Sequence, residues 1–186
     1  MKRYLVKFGI YLLLPGVVGL GVPGCALTEP EEEEIEQEVL FEFQYINHAW
    51  GYQHSGSYID GEGKVTSYQY TASDTHWAPA DLNHPTEEEL QDKYSHSPQE
   101  VKVIDPDTLI AKYGLIEEAA AGTYSDSLSL GADMGAYAYI CYVYQPDTDR
   151  YDAVVLRLWG DWCYENLSPA AGKLAQWLEE ELSPSP

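Results

Sequence analysis

Basic side chains are what this chain has least of. Ten Lys and Arg stand against 31 Asp and Glu, a formal net charge of −21 with His neutral. Phosphate backbones are held by clustered cations, so this composition argues against nucleic acid as a partner. It argues equally against lying flat on anionic lipid. Phe and Cys are scarce, three of each. No glycine-rich phosphate loop or dinucleotide loop occurs, and no strand–GxSxG–helix stretch. The "DGEG" turn lacks the further oxygen ligands of a calcium loop. No apolar run reaches the roughly 20 residues of a comfortable membrane span. Internal repeats are absent as well.

What is present begins with the leader. "MKRYLVK" carries Lys2, Arg3 and Lys7 and no acid. Residues 8–22, "FGIYLLLPGVVGLGV", are apolar. A basic n-region followed by a short apolar h-region reads as a signal peptide. Pro15 and four glycines weaken that stretch as a lasting helix. "VPGC" follows, with Val22 and Gly24 ahead of Cys25. This resembles the lipobox of bacterial lipoproteins, over residues 1–25 only. The resemblance implies that the Cys25 thiol takes a diacylglycerol, that the chain is cut before Cys25, and that the new amine is acylated, so that palmitate would label it. Two or three acyl chains anchor durably where one does not. It also implies a cell-envelope location, facing the periplasm or exterior. Ala26 in place of Asp implies outer-membrane sorting in a Gram-negative cell.

The chain therefore divides into a signal peptide (1–24), a lipidated cysteine with an acidic tether (25–37) and one globular domain (38–183). Glu31 to Glu34 repel one another and an anionic surface, which keeps the tether extended. Loss of the leader leaves seven basic against 31 acidic side chains, a charge of −24. Such a surface attracts cations. Sixteen Tyr and five Trp outnumber three Phe. These rings bury apolar area and keep a polar handle, so most should fill the core and rim of a sheet.

"EVLFEFQYI" alternates, with Val39, Phe41, Phe43 and Tyr45 on one face and Glu42 and Gln44 on the other, a half-buried strand. "GSYIDGEGKVTSYQYT" reads as a hairpin. "TEEELQDKY" is a short helix opened by a Thr86/Glu89 capping box, with Leu90 and Tyr94 inward. "HSPQEV" reads as a breaker. "DPDTLIAKYGLIEEAAAG" reads as one helix with Asp105 as cap, Pro106 first and Gly122 closing, and Gly114 as its weak point. Its stripe is Leu109, Tyr113, Ile116 and Ala120, widened by Ile110. "GAYAYICYVYQ" and "YDAVVLRLWGDW" are the strongest strands. Pairing Gln145 with Arg150 sets Cys141 opposite Val154, Tyr139 opposite Leu156 and Tyr137 opposite Leu158. Cys163 then falls on the other face from Cys141, which disfavours a disulfide between them. "SPAAGKLAQWLEEEL" is a closing helix with Ala171, Leu174, Trp177, Leu178 and Leu182 inward. The fold class is α+β: an antiparallel sheet of about four or five strands with two or three helices mainly on one face.

The five histidines, His48, His54, His76, His84 and His96, form no pair at zinc spacing on a helix, so no metal site is assigned. Cys163 has no base signature beside it, no catalytic residue stands out, and no cofactor is implied. One cluster draws notice: His48, Trp50, Tyr52, His76 and Trp77 lie in glycine- or proline-bearing segments, where rings are less often core. Gathered at one sheet edge, they would make a stacking and hydrogen-bonding site. The expectation is a non-enzymatic, membrane-tethered domain that binds a protein or envelope component. Alternatives are a glycan-binding or glycan-acting domain using loop aromatics, or a metal-binding periplasmic domain.

Overall fold

Five consecutive buried residues, Val39 to Phe43, place the first strand at the middle of the fold rather than on a half-wet surface. The computed structural model describes residues 35–49 and 51–182. Cys25, the leader, most of the acidic tether and Trp50 lie outside the described residues. Strand β1 (Val39–Asn47) pairs antiparallel on one side with β2 (Gln53–Asp60) and on the other with β6 (Ala136–Gln145). β2 turns at residues 61–63 into β3 (Lys64–Gln69), which pairs with β4 (Gln99–Val103). β6 turns into β7 (Arg150–Gly160), followed by β8 (Trp162–Glu165) and, at the far edge, β5 (Leu128–Ser129). The result is one eight-stranded sheet of order β4-β3-β2-β1-β6-β7-β8-β5.

Eight strands replace the expected four or five. The additions are short strands, β4, β5 and β8, at or next to the sheet edges. Every residue of β4 is exposed, β5 has two residues, and β8 follows the Gly160 kink. Short or charged edges of this kind discourage pairing with other chains.

Helices cover both faces unequally. α2 (Pro106–Tyr113), α3 (Ile116–Ala120) and α4 (Pro169–Leu182) pack on one face, where Phe41, Val65, Cys141 and Leu156 meet Leu109, Ile116, Leu174 and Leu178. Phe41 and Trp177 meet edge to face at 5.1 Å. Among the described residues α1 (Glu87–Tyr94) is the helix on the other face, where Leu90 and Tyr94 meet Tyr68, Ile140, Tyr142 and Tyr151. Both halves of the capping box form: Glu89 N–H donates to Thr86 Oγ1, and the Glu89 carboxylate accepts from Thr86 N–H. Among the described residues the core spans Val39 to Leu182. Residues 33–186 thus form a compact unit with its own core. Ile35 packs against this core and Gln37 is buried, donating to the Tyr142 carbonyl. Ile35 and Gln37, within the stretch read as tether, therefore belong to the domain.

The single helix expected over 105–122 is two. Gly114 ends α2 and Leu115 lacks a side-chain cap for α3. The break re-aims the stripe, so Ala119 is buried while Ala120 and Ile110 are exposed. The β6–β7 register also differs from expectation. Cys141 does sit opposite Val154, but a bulge leaves Leu156 unpaired, so Tyr139 meets Arg157 and Tyr137 meets Trp159. One extra residue flips all that follows. Arg157 therefore reaches Glu179 on α4, while Leu158 and Tyr164 turn to the α1 face. The same flip brings Cys163 to the face of Cys141, yet both thiols are free. β7 runs between them, and two strand spacings, about 9–10 Å, exceed the reach of a disulfide.

Candidate functional site

Glu42 is the residue the alternation misplaces most. It points to the α1 face, as expected, but that face is closed there and its exposure is 0%. Lys93, on the inner side of α1, is 1% exposed. Its ammonium lies 2.7 Å from Glu42 Oε1 and 2.8 Å from Oε2, and 2.8 Å from Gln44 Oε1. Tyr68 donates to Glu42 Oε1 and Tyr142 to Oε2. Burial alone would raise the Glu42 pKa; the Lys93 charge and hydrogen bonds from Lys93, Tyr142 and Tyr68 reverse this and hold it below the ordinary value. Burial pulls Lys93 down, offset in part by Glu42. Burial, then the Glu42 charge, holds the Tyr68 and Tyr142 hydroxyls well above their ordinary range, so both stay protonated donors.

The network continues outward in one direction. The Tyr68 hydroxyl directs its proton at Glu42, so its oxygen accepts from His54 Nε2–H at 3.3 Å. His54 Nδ1 then accepts from the Tyr52 hydroxyl at 2.8 Å, and Tyr52 accepts from Trp77 N–H at 3.3 Å. This tautomer follows from the donor count. Burial, then the Lys93 charge, holds His54 down at about 3, so it is neutral. Lys93 also lies 4.3 Å from the centre of the Trp77 ring, whose Nε1–H donates to the Glu89 carbonyl. The chain from Trp77 to Glu42 clamps α1 and the 71–86 segment onto the sheet.

Four of the five aromatics singled out in the sequence meet. His76 stacks on Tyr52 at 3.9 Å, His48 lies 5.3 Å from Tyr52, and Trp77 borders the same group through His54. Of these, only Tyr52 and His76 stack face to face; the other pairs are tilted or edge-on, and His48 and His76 stay exposed. Among the described residues, no three His, Cys, Asp or Glu side chains converge as a metal site. His84 instead meets Asp81 and Asp152, and His96 meets Asp74.

Beside the clamp the α1 face is left uncovered. Residues 83–86 run along the start of β7, with Asn83 and Pro85 carbonyls accepting from Ala153 and Tyr151 N–H. Beyond them, over β1, β6 and β7, lies a cleft of about 810 Å³. Its floor is aliphatic: Ile46, Ile140, Val155 and Leu158. Trp77, Leu82, Trp162 and Tyr164 form the walls, Lys93, Gln44 and Tyr142 the inner end, and Asp133 and Asp161 the outer end. Leu82 is 66% and Trp162 54% exposed. The outer end is tightly built. Asn47 Nδ2 donates to the Asp133 carbonyl, Asp161 Oδ1 accepts from Met134 N–H, and Asp133 holds φ +67°. Asp is among the residues that adopt this left-handed conformation most readily. A second hollow of about 770 Å³ lies where the chain enters the domain, bordered by Glu36, Glu38, Asp60 and Glu62.

No protein-family model, curated protein or solved structure matches the chain. The site must therefore be read from its own chemistry. Sequence reasoning missed Glu42, Lys93, Tyr68 and Tyr142. The one signal was an acid and a lysine placed where strand and helix otherwise present apolar side chains, among an excess of Tyr. The cleft carried no sequence signal, since its floor comes from three strands far apart in the chain.

Proposed function

We propose that this is a lipid-anchored envelope protein whose domain binds a ligand in the cleft beside α1. The aliphatic cleft floor beside α1, walled by Trp77, Leu82, Trp162 and Tyr164, carries the reading. Large exposed apolar concavities mark binding sites in soluble domains. The clamp contributes shape: it fixes Trp77 and the inner wall without offering a free charge. Tyr52, His76 and Trp77 are engaged with one another or with Lys93, which speaks against a stacking platform for sugar rings. Anchoring at Cys25 rests on the leader alone.

Two measurements test the two parts. Cells fed radiolabelled palmitate should label the wild-type chain and not Cys25→Ser; an unlabelled wild-type chain overturns the anchor. Nile red, a neutral apolar dye, should brighten with residues 33–186 and lose that signal in Val155→Trp, which fills the cleft. Equal signals from a folded Val155→Trp variant would overturn the cleft as the binding site.

A further inference from the structure

Resting on the reading of the cleft as a binding site, we infer that it selects an organic cation: a compact aliphatic or alicyclic body bearing one ammonium. Charge along the lining decides it. Among the described residues Lys93 is the one Lys or Arg there, and its ammonium is held by hydrogen bonds to Glu42 Oε2 and Gln44 Oε1 and by the ion pair with Glu42 Oε1. Glu42 cancels its charge at 2.7 Å, so the inner end is electrically neutral to a ligand. The outer end is not neutral. Asp133 and Asp161 both line it, and among the described residues no Lys or Arg lines the cleft near them. An anionic headgroup would find no free cation at one end and two carboxylates at the other.

The space between these ends fits an apolar body. Ile46, Ile140, Val155 and Leu158 supply aliphatic contact, and Trp162 and Tyr164 stand as walls beside the carboxylates. Aromatic faces attract ammonium groups, and the cleft already displays that contact in Lys93 over Trp77. A ligand laid with its body on the floor would carry its ammonium to the Asp133 and Asp161 end. The frame there is preformed: Gly160 N-terminal to Asp161 sits against the Gly135 carbonyl so closely that a Cβ would come within 1.9 Å of it. Preformed geometry lowers the ordering that binding must otherwise impose. The net charge of the whole chain, −21, adds a long-range field of the same sign.

Three probes of one shape separate charge from fit: cyclohexylammonium, cyclohexanol and cyclohexanecarboxylate. Each is titrated into residues 33–186 at about pH 8, with heteronuclear NMR following the Trp162 indole. Cyclohexylammonium should bind about tenfold more tightly than the carboxylate, with the alcohol between them. Asp133→Asn and Asp161→Asn should each weaken the ammonium and leave the alcohol unchanged. Both variants preserve the frame, because Asn tolerates positive φ and its carbonyl can still accept from Met134 N–H. Binding of all three probes with equal affinity would overturn the selectivity and leave the cleft standing. Binding of none, with Nile red also silent, would overturn the cleft itself. A shift of the Trp162 resonance that persists undiminished in both Asn variants would also refute the proposal.

Discussion

Replacing Lys93 by Met removes a charge from a site where its partner has no water to turn to. Glu42 is 0% exposed, and the Lys93 ammonium contacts both its oxygens and the Trp77 ring. Breaking one side of a buried pair costs about 3–5 kcal/mol. Tyr68 and Tyr142 still donate to the carboxylate in the variant, which points to the lower end, about 3 kcal/mol. That is a large share of the 5–15 kcal/mol typical of a domain. The pH dependence is the sharper test. In the wild type the Glu42 pKa is lowered, so its stabilisation is present above the unfolded value of 4.5 and is lost as pH falls through the folded value. In Lys93→Met the Lys93 charge is gone and burial dominates, so the folded pKa should rise above 4.5 and protonation should favour the folded state. The gap between variant and wild type should thus be widest near neutrality and narrow towards pH 4. Urea unfolding of residues 33–186 across that range measures it. Adding Glu42→Gln to Lys93→Met should recover part of the loss at neutral pH, because no unpaired charge remains. A neutral-pH loss below about 1 kcal/mol, a gap that widens on acidification, or a double variant no better than the single would refute the account of the clamp.

Other outcomes follow from the same structure. His54 is held at about 3 against 6.5 in the unfolded chain, so the folded state resists its protonation. Stability should be full above about pH 6.5 and fall as pH drops towards 3, by about 2 kcal/mol at pH 5 from this group alone; the slope of unfolding free energy against pH should flatten in His54→Gln. Gly160 has φ +150° and abuts the Gly135 carbonyl, so Gly160→Ala should destabilise by about 2 kcal/mol or more in thermal unfolding and displace amide resonances at Gly135 and Ala136. Cys141 is fully buried and its thiol is pushed up to about 12 by burial, whereas Cys163 is half-buried. A thiol reagent should label Cys163 in the folded domain and Cys141 only on unfolding; equal rates for the two would contradict the register given for β6 and β8.

The elements with strong local signals were legible in the sequence. β1, the β2–β3 hairpin, β6, β7 and α4 each carry an apolar period or turn chemistry complete within a few residues. The α1 capping box is likewise local, Thr86 and Glu89 being three positions apart. The misses share a cause. β4 alternates over Glu100, Val101, Lys102 and Val103 but buries neither face, and β5 has two residues, so both are strands chiefly because a neighbour offers hydrogen bonds. The bulge at Leu156 leaves no mark in composition, yet it decides which residues of β7 and β8 face the cleft.

The sequence by itself determined the class of element at most positions, the sign of the net charge and the basic-then-apolar pattern ahead of Cys25, because each depends on composition or on residues adjacent in the chain. Only the tertiary structure decided that Glu42 and Lys93, 51 positions apart, share one buried pair. It also decided that β1, β6 and β7 present a common aliphatic floor with two carboxylates at its end. Such groups meet through sheet order and a one-residue shift of register, and neither is written in the local pattern of any one strand.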